Sequence, residues 1–447
     1  MDKAKDEKHT GVWKALSKWL DPDDENKEYW WNVTGPHLST MLEAAECSTL
    51  KQVKQLLAYY EYAIPFLGHA PLEGVATWRS LLTLDGTPIE YSWTWNLKDG
   101  TPKIRFALEA IDDNTGSWFA PFNHFPSTAL LCTHFAKNIP GLDLTWFNYL
   151  RQTLYDDKNV FQSSGRKQRK RSGAITAPFT STMSHEIDLG SEGPFIKTRF
   201  IPRKAGKSAS WSMKQWDAVI RELPKSRGDN IALDTLISFL DRSAEGRKLK
   251  PFMLAIDNLD PTISCLELFF HTKSTSFDSI REIMTMGNLL PGRHKQIDDM
   301  QKLIRFILGL SGDDPNDKDF PPVHSGLPGI RNGYLYSFDI GPRAGNFFPE
   351  ITVSIPVFRW NTDDRRIALG MCAWMKEMGR GRYCDGYMRV LATIAEDVGC
   401  YNDLHTYVRL SCMNDGQFGV TSYLNPSVYA RVGLKDEKEI KTEPTED

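Results

Sequence analysis

One order of elements recurs five times along the chain, and this recurrence limits the architecture more than any other feature of the sequence. Apolar residues at helical spacing run from about 39 to 65 (Met41, Leu42, Leu50, Val53, Leu56, Leu57, Tyr60) and stop at Ile64 and Pro65. Strand-like segments follow at 87–95 and 103–111, joined by the turn signal Lys98-Asp99-Gly100. The order then returns, with a helical stretch at 127–154 leading to strands at 178–189 and 194–202 around Gly190-Ser191-Glu192-Gly193. Helices at 211–222 and 230–241 precede strands at 251–257 and 263–271; helices at 276–286 and 298–309 precede strands at 332–340 and 350–358. A last pair of helices, at 363–378 and 385–397, precedes strands at 404–413 and 418–424.

Five hairpins at intervals of roughly 70 to 90 residues are a repeat architecture with little identity between units. Ten antiparallel strands can close on themselves, which removes the exposed edges, sets the helices outside and turns alternate side chains into a lumen. The same elements also suit an ordinary α+β protein with several separate sheets, and pattern alone leaves the two open.

The composition, 41% hydrophobic and 25% charged over 447 residues, is that of a globular protein able to bury a large core. A formal charge of -3 argues against a nucleic-acid-coating role and for a small-molecule partner. The seven cysteines (Cys47, Cys132, Cys265, Cys372, Cys384, Cys400, Cys412) form no CxxC pair, so no metal site or disulfide framework is expected. Residues 1–25 read as a charged N-terminal segment without the apolar core of a signal peptide, 26–434 as a single domain and 435–447 as a disordered acidic tail. No run suits a membrane span, so a cytoplasmic protein is expected, as monomer or homodimer.

Three motifs carry no chemistry here. Asp313-Asp314-Pro315-Asn316-Asp317 fits the DDxxD pattern of magnesium-dependent terpene enzymes, but its proline and its setting between Gly312 and Pro321 read as a solvated loop. Gly206-Lys207-Ser208 lacks the first glycine of a P-loop, since Ile201 stands there. The basic run Arg166-Lys167-Gln168-Arg169-Lys170-Arg171 reads as a solvated loop.

Trp31 to Gly35, Ile64 to Gly68 and Trp78 to Ser92 resemble the N-terminal third of the fungal dimethylallyltryptophan synthase family of aromatic prenyltransferases. Similar matches follow at Ile104-Arg105-Phe106 with Glu109, Ile187-Asp188-Leu189, Ile196-Lys197, Ser274 to Phe277, Phe348-Pro349, Ile355-Pro356-Val357 and Ser422-Tyr423-Leu424. Each motif is weak alone; their order and spacing are specific. The resemblance implies the family's ten-stranded antiparallel αα-ββ (ABBA) barrel, with substrate in the lumen. It also implies transfer of an allyl group from an allylic diphosphate co-substrate to an indole or cyclic-dipeptide-like acceptor, with no other cofactor. It puts the acceptor-binding glutamate at Glu90, substrate-positioning carbonyls at Leu81 and Leu82, diphosphate-binding cations at Arg105 and Lys197, and a shielding tyrosine at Tyr423.

The departures from the family concern the diphosphate site. Its Arg-x-Lys-x-Tyr strand reads Cys265-Leu266-Glu267-Leu268-Phe269 here, Arg199 replaces a tyrosine, and Thr352 and Ser354 replace a Gln or Lys and a Tyr on the eighth strand. Apart from that site, Ser184 aligns with the lysine that serves as base in tryptophan-prenylating members. Arg409 is a candidate replacement cation. Two readings remain at this level. The chain is a prenyltransferase with a rearranged diphosphate site, or Glu90 and Glu267 act as an acid–base pair in a diphosphate-independent cyclase or isomerase. A non-catalytic ligand carrier is a third.

Overall fold

The computed structural model describes residues 11–432 apart from 72–77, 96–100, 118–119, 121, 156–180, 189–194, 204–210, 226–229, 291, 311–314, 321–332, 343–346, 360–362 and 413–417. The ten strands are β1 (Ile89–Trp95), β2 (Lys103–Leu108), β3 (Met183–Asp188), β4 (Phe195–Phe200), β5 (Lys250–Asp257), β6 (Leu266–Thr272), β7 (Tyr334–Asp339), β8 (Glu350–Ile355), β9 (His405–Cys412) and β10 (Phe418–Leu424). Each pairs antiparallel with its sequence neighbours. β1 in turn pairs with β10, from Tyr91 opposite Leu424 to Trp95 opposite Val420, so the sheet closes into one barrel and the separate-sheet alternative falls.

Several strands are shorter at their ends than the sequence predicts, for local reasons. β8 stops at Ile355 because Pro356 has no N–H to offer and the chain turns into a 3-10 segment, Val357–Arg359. Beyond β2, the Ile111 N–H goes to the Phe66 carbonyl at 2.9 Å instead of continuing the hairpin. Both predicted hairpin turns, the basic run 166–171, the aspartates 313 and 314 and the tail 435–447 lie outside the described residues. The rest of the DDxxD-like motif is an exposed bend.

The helix predicted at 39–65 is two helices, Glu25–Ala44 and Thr49–Tyr62. The first carries Pro36 in its interior, which hides it from a periodicity reading. It forms because Asp24 caps it, accepting from the Lys27 N–H at 2.8 Å, and because both of its tryptophans, Trp30 and Trp31, are buried. The segment 11–20, read only as charged, contains a helix, Gly11–Ser17, whose Trp13 and Leu16 pack on the core.

Burial in the barrel is inverted relative to a filled one. The outward residues of the strands are apolar: Tyr91, Trp93, Phe106, Phe200, Leu254, Leu268, Phe270, Phe338, Val353, Leu410 and Val420 are all buried against the helices. Tyr91 also donates its hydroxyl to the Thr34 carbonyl at 2.8 Å, tying β1 to the helix Glu25–Ala44. Most charged residues of the strands point inward, since the two-residue period alternates them with the apolar face that the helices cover. Trp93 is fully buried beside Tyr387, with ring centroids 5.5 Å apart. Trp93→Ala is therefore expected to destabilise the barrel by about 3–5 kcal/mol, read as a lowered denaturant midpoint.

Candidate active site

Contacts between non-adjacent strands identify the lumen. Arg409 on β9 reaches Glu267 on β6 at 2.6 Å, and Lys197 on β4 reaches the same Glu267 at 2.8 Å. Two strands separate β9 from β6, so the Arg409 contact runs across the interior. The cavity they enclose measures about 370 Å³, within the range of small-molecule sites. Of the sequence-predicted residues, Arg105, Lys197, Glu267, Thr352, Arg409 and Tyr423 line it, with Trp95 and Phe195 as further aromatic wall.

All four candidate cations engage carboxylates. Glu186 on β3 takes Arg105 on one oxygen at 3.1 Å and Arg199 on the other. Glu267 takes Lys197 on one oxygen and Arg409 on the other. Asp188 lies 3.7 Å from Arg105, and Asp257 lies 3.6 Å from Lys197. Burial alone would push both glutamates up, but the cations win. Arg199 and then Arg105 bring Glu186 down to about 2, while Arg409 and Lys197 hold Glu267 well below the usual carboxylate range. Cys265 sits deep beside them, its sulfur 3.4 Å from the Lys197 ammonium, and burial pushes its thiol far up.

Glu90 has the opposite character. It is 5% exposed and accepts a hydrogen bond from the Thr406 hydroxyl. Burial raises it to about 8, because that hydroxyl and the more distant Arg199 compensate only in part. Glu90 and Glu267 thus occupy unlike environments, as the sequence suggests. Yet Glu267, ionised and shared between two cations, has no proton to give and would have to abandon both to take one. The acid–base pairing on which the cyclase reading rests loses one of its two members.

Leu81 and Leu82 lie in the segment entering β1. The Leu81 N–H donates to Glu109 at 3.3 Å and to the Ser181 hydroxyl at 3.2 Å, and the Leu82 N–H donates to the Ser80 hydroxyl at 3.0 Å. Glu109 further accepts from the Trp78 indole at 3.1 Å and the Ser181 hydroxyl at 2.8 Å; burial lifts it to about 7 against these donors. At the far end of the segment, Asp85 accepts the backbone N–H groups of Tyr429 and Ala430. The segment is thus clamped between Glu109, just beyond β2, and the helix Val428–Arg431.

The remaining predicted residues fall into place by register. Ser184 faces the lumen opposite Arg199, whereas His185 points outward to Thr198 at 3.1 Å. Phe269 is buried 6.0 Å from the Arg409 guanidinium, and Ser354 lies opposite Arg409 between β8 and β9. Neither they nor Glu90, Leu81, Leu82, Ser184, Arg199 and Cys265 line the 370 Å³ cavity itself. Sequence reasoning missed Glu186, Thr406 and the anchoring part of Glu109. Glu186 was within reach, since it stands two residues after Ser184 and so shares its face; Thr406 carried no local signal.

Comparison with known proteins identifies the family. The model of the family described as tryptophan dimethylallyltransferase matches residues 26–390. A prenyltransferase of Pestalotiopsis microspora is 36% identical over 94% of this chain and 92% of its own length. Xanthone prenyltransferase A of Emericella nidulans is 35% identical over 91% and 94%. Among solved structures, the NotF prenyltransferase superposes with a TM-score of 0.74 over 93% of this chain and 98% of that one, and AnaPT from Neosartorya fischeri with 0.71 over 93% and 97%, both at 18% identity. The chain therefore belongs to the tryptophan dimethylallyltransferase family and is a dimethylallyltryptophan synthase-like aromatic prenyltransferase.

Proposed function

We propose that this enzyme transfers an allyl group from an allylic diphosphate to a ring carbon of a hydroxylated polycyclic aromatic acceptor. The observation that carries the reading is the convergence of Arg105, Lys197, Arg199 and Arg409 on one lumen that also holds the buried Glu90. Four cations in a low-dielectric tube are the natural receptor for a leaving diphosphate, whose charge grows as the allylic C–O bond breaks. Tyr423 and Phe195 supply π faces against which an allyl cation is sheltered from water.

The acceptor ring attacks the allyl cation and forms the new C–C bond. Glu90 takes the hydroxyl proton as positive charge builds on the ring, leaving a neutral dienone; the ring proton then moves to the oxygen and aromaticity returns. An indole N–H would use the same carboxylate. Two observations favour a phenolic acceptor over the indole or cyclic dipeptide suggested by the family resemblance. Relatives at 35% and 33% identity are named xanthone prenyltransferases, and the inward position of the family's basic lysine is Ser184.

Purified protein incubated with dimethylallyl diphosphate and parallel panels of hydroxyxanthones, indoles and cyclic dipeptides is expected to release diphosphate and form product with the phenolic panel. Turnover confined to indoles would reverse the acceptor assignment, and no diphosphate release anywhere would remove the transferase reading.

Glu90 must be ionised to accept the proton, and burial raises it to about 8. The profile of kcat/KM is therefore expected to rise with pH through this region and to level off above it, since deprotonation creates the active form. Glu90→Gln is expected to lower kcat/KM by about 10²–10⁴-fold and to abolish that limb. A variant that keeps the limb would assign it to another group.

A further inference from the structure

The four cations are held in pairs, and each pair shares a single carboxylate. Glu186 spans Arg105 and Arg199, and Glu267 spans Lys197 and Arg409, one oxygen to each cation. Both glutamates are buried, at 5% and 6% exposure. Two anionic groups, each gripped by two cations, reproduce inside the protein what the two phosphate groups of the donor would otherwise do. With Asp188 and Asp257 close by, the four cations are already matched by four carboxylates before any substrate arrives.

We propose that Glu186 and Glu267 are built-in occupants of the donor site, which the two phosphate groups of an allylic diphosphate must displace from the Arg105–Arg199 and Lys197–Arg409 pairs. This rests on the prenyl-transfer reading above and adds to it two residues that set donor affinity. Displacement has a protonic consequence. A glutamate that loses both cations while remaining inside the barrel is left as a buried, uncompensated charge, and the lower-energy course is to bind a proton. The groups that face Glu186 are Arg105 from β2, Arg199 and Lys197 from β4, Arg409 from β9, Tyr423 from β10 and Glu90 from β1. Those around Glu267 are Lys197, Arg409, the Cys265 thiol, Asp257 from β5 and Asp339 from β7. Of these groups only the four cations carry positive charge, and the aspartates oppose an uncompensated carboxylate; Lys103 of β2 lines the same cavity. Donor binding is thereby coupled to proton uptake, and the affinity for diphosphate is lower than four cations would otherwise give.

The test is calorimetric titration of the full-length enzyme with inorganic pyrophosphate and with dimethylallyl diphosphate, near neutral pH, in two buffers of different ionisation enthalpy. Glu267→Gln and Glu186→Gln are titrated alongside the wild type. Gln keeps the shape and the oxygen acceptor, and a thermal melt establishes that each variant is folded. Each variant is expected to bind pyrophosphate at least about tenfold more tightly than the wild type, because a buried competitor for two cations is gone, and to take up fewer protons per ligand bound. Equal affinity and equal proton uptake in wild type and variants would overturn the proposal. Weaker binding in both variants would overturn it too, by making the glutamates positioning groups that hold the cations in place. If neither ligand binds wild type or variants, the donor reading itself fails and takes this one with it; tight binding with no difference among the proteins leaves prenyl transfer standing and removes only the displacement.

Discussion

The pairing of β1 with β10 is the constraint on which everything else depends. Without it the sheet would be an open, strongly twisted ribbon with two unpaired edges, and the inward faces of its ends would meet solvent. With it, Ser92 lies opposite Tyr423, and the Thr406 hydroxyl reaches Glu90 across a sequence separation of 316 residues. Candidate site residues run from Leu81 to Tyr423, so the site does not exist until the first and last strands have met. Such a topology is dominated by long-range contacts, whose loop-closure cost is met before they reward the chain.

Closure also decides where charge is allowed. Ten strands enclose more room than their side chains fill, and the helices cover the outer face, so the apolar residues go outward and the polar ones inward. Every inward charge then lies in a region of low dielectric and needs a partner. Where the sequence supplies a cation, the register sets a carboxylate within reach: Glu186 for Arg105 and Arg199, Glu267 for Lys197 and Arg409. The integrity of the barrel and its capacity for an anionic ligand consequently draw on the same four side chains.

Much of this was legible beforehand. The five helix–hairpin units follow from periodicity, and the family resemblance, which the two-residue period permits, is what puts Arg105 and Lys197 in the lumen. The helix Glu25–Ala44 was hidden because Pro36 is an interior breaker by local rules, and only the burial of Trp30 and Trp31 together with the Asp24 cap outweighs it. The significance of Glu186 was hidden for a different reason. Its parity can be read from the sequence, but its partners stand on β2 and β4, and which residues oppose it depends on the register of both hairpins. The pairing of Glu267 is likewise invisible locally, because Arg409, its partner across the lumen, is 142 residues away in sequence.

The same long-range information separates two glutamates that sequence reasoning could treat as a matched pair. Glu90 and Glu267 are both buried on barrel strands, so burial raises both alike. What distinguishes them is the company each keeps: one hydroxyl for Glu90, two cations for Glu267. A hydroxyl stabilises the anion too weakly to offset desolvation, whereas two charge-assisted hydrogen bonds exceed it, and the two groups end on opposite sides of neutrality. This gives the lumen two chemically distinct regions. Around Glu267 the charges are permanent and suited to holding an anion; at Glu90 the charge is conditional, available when a proton must be accepted. That division is what prenyl transfer asks of a single tube, since the leaving diphosphate needs fixed positive charge and the attacking ring needs a base that is not already spoken for.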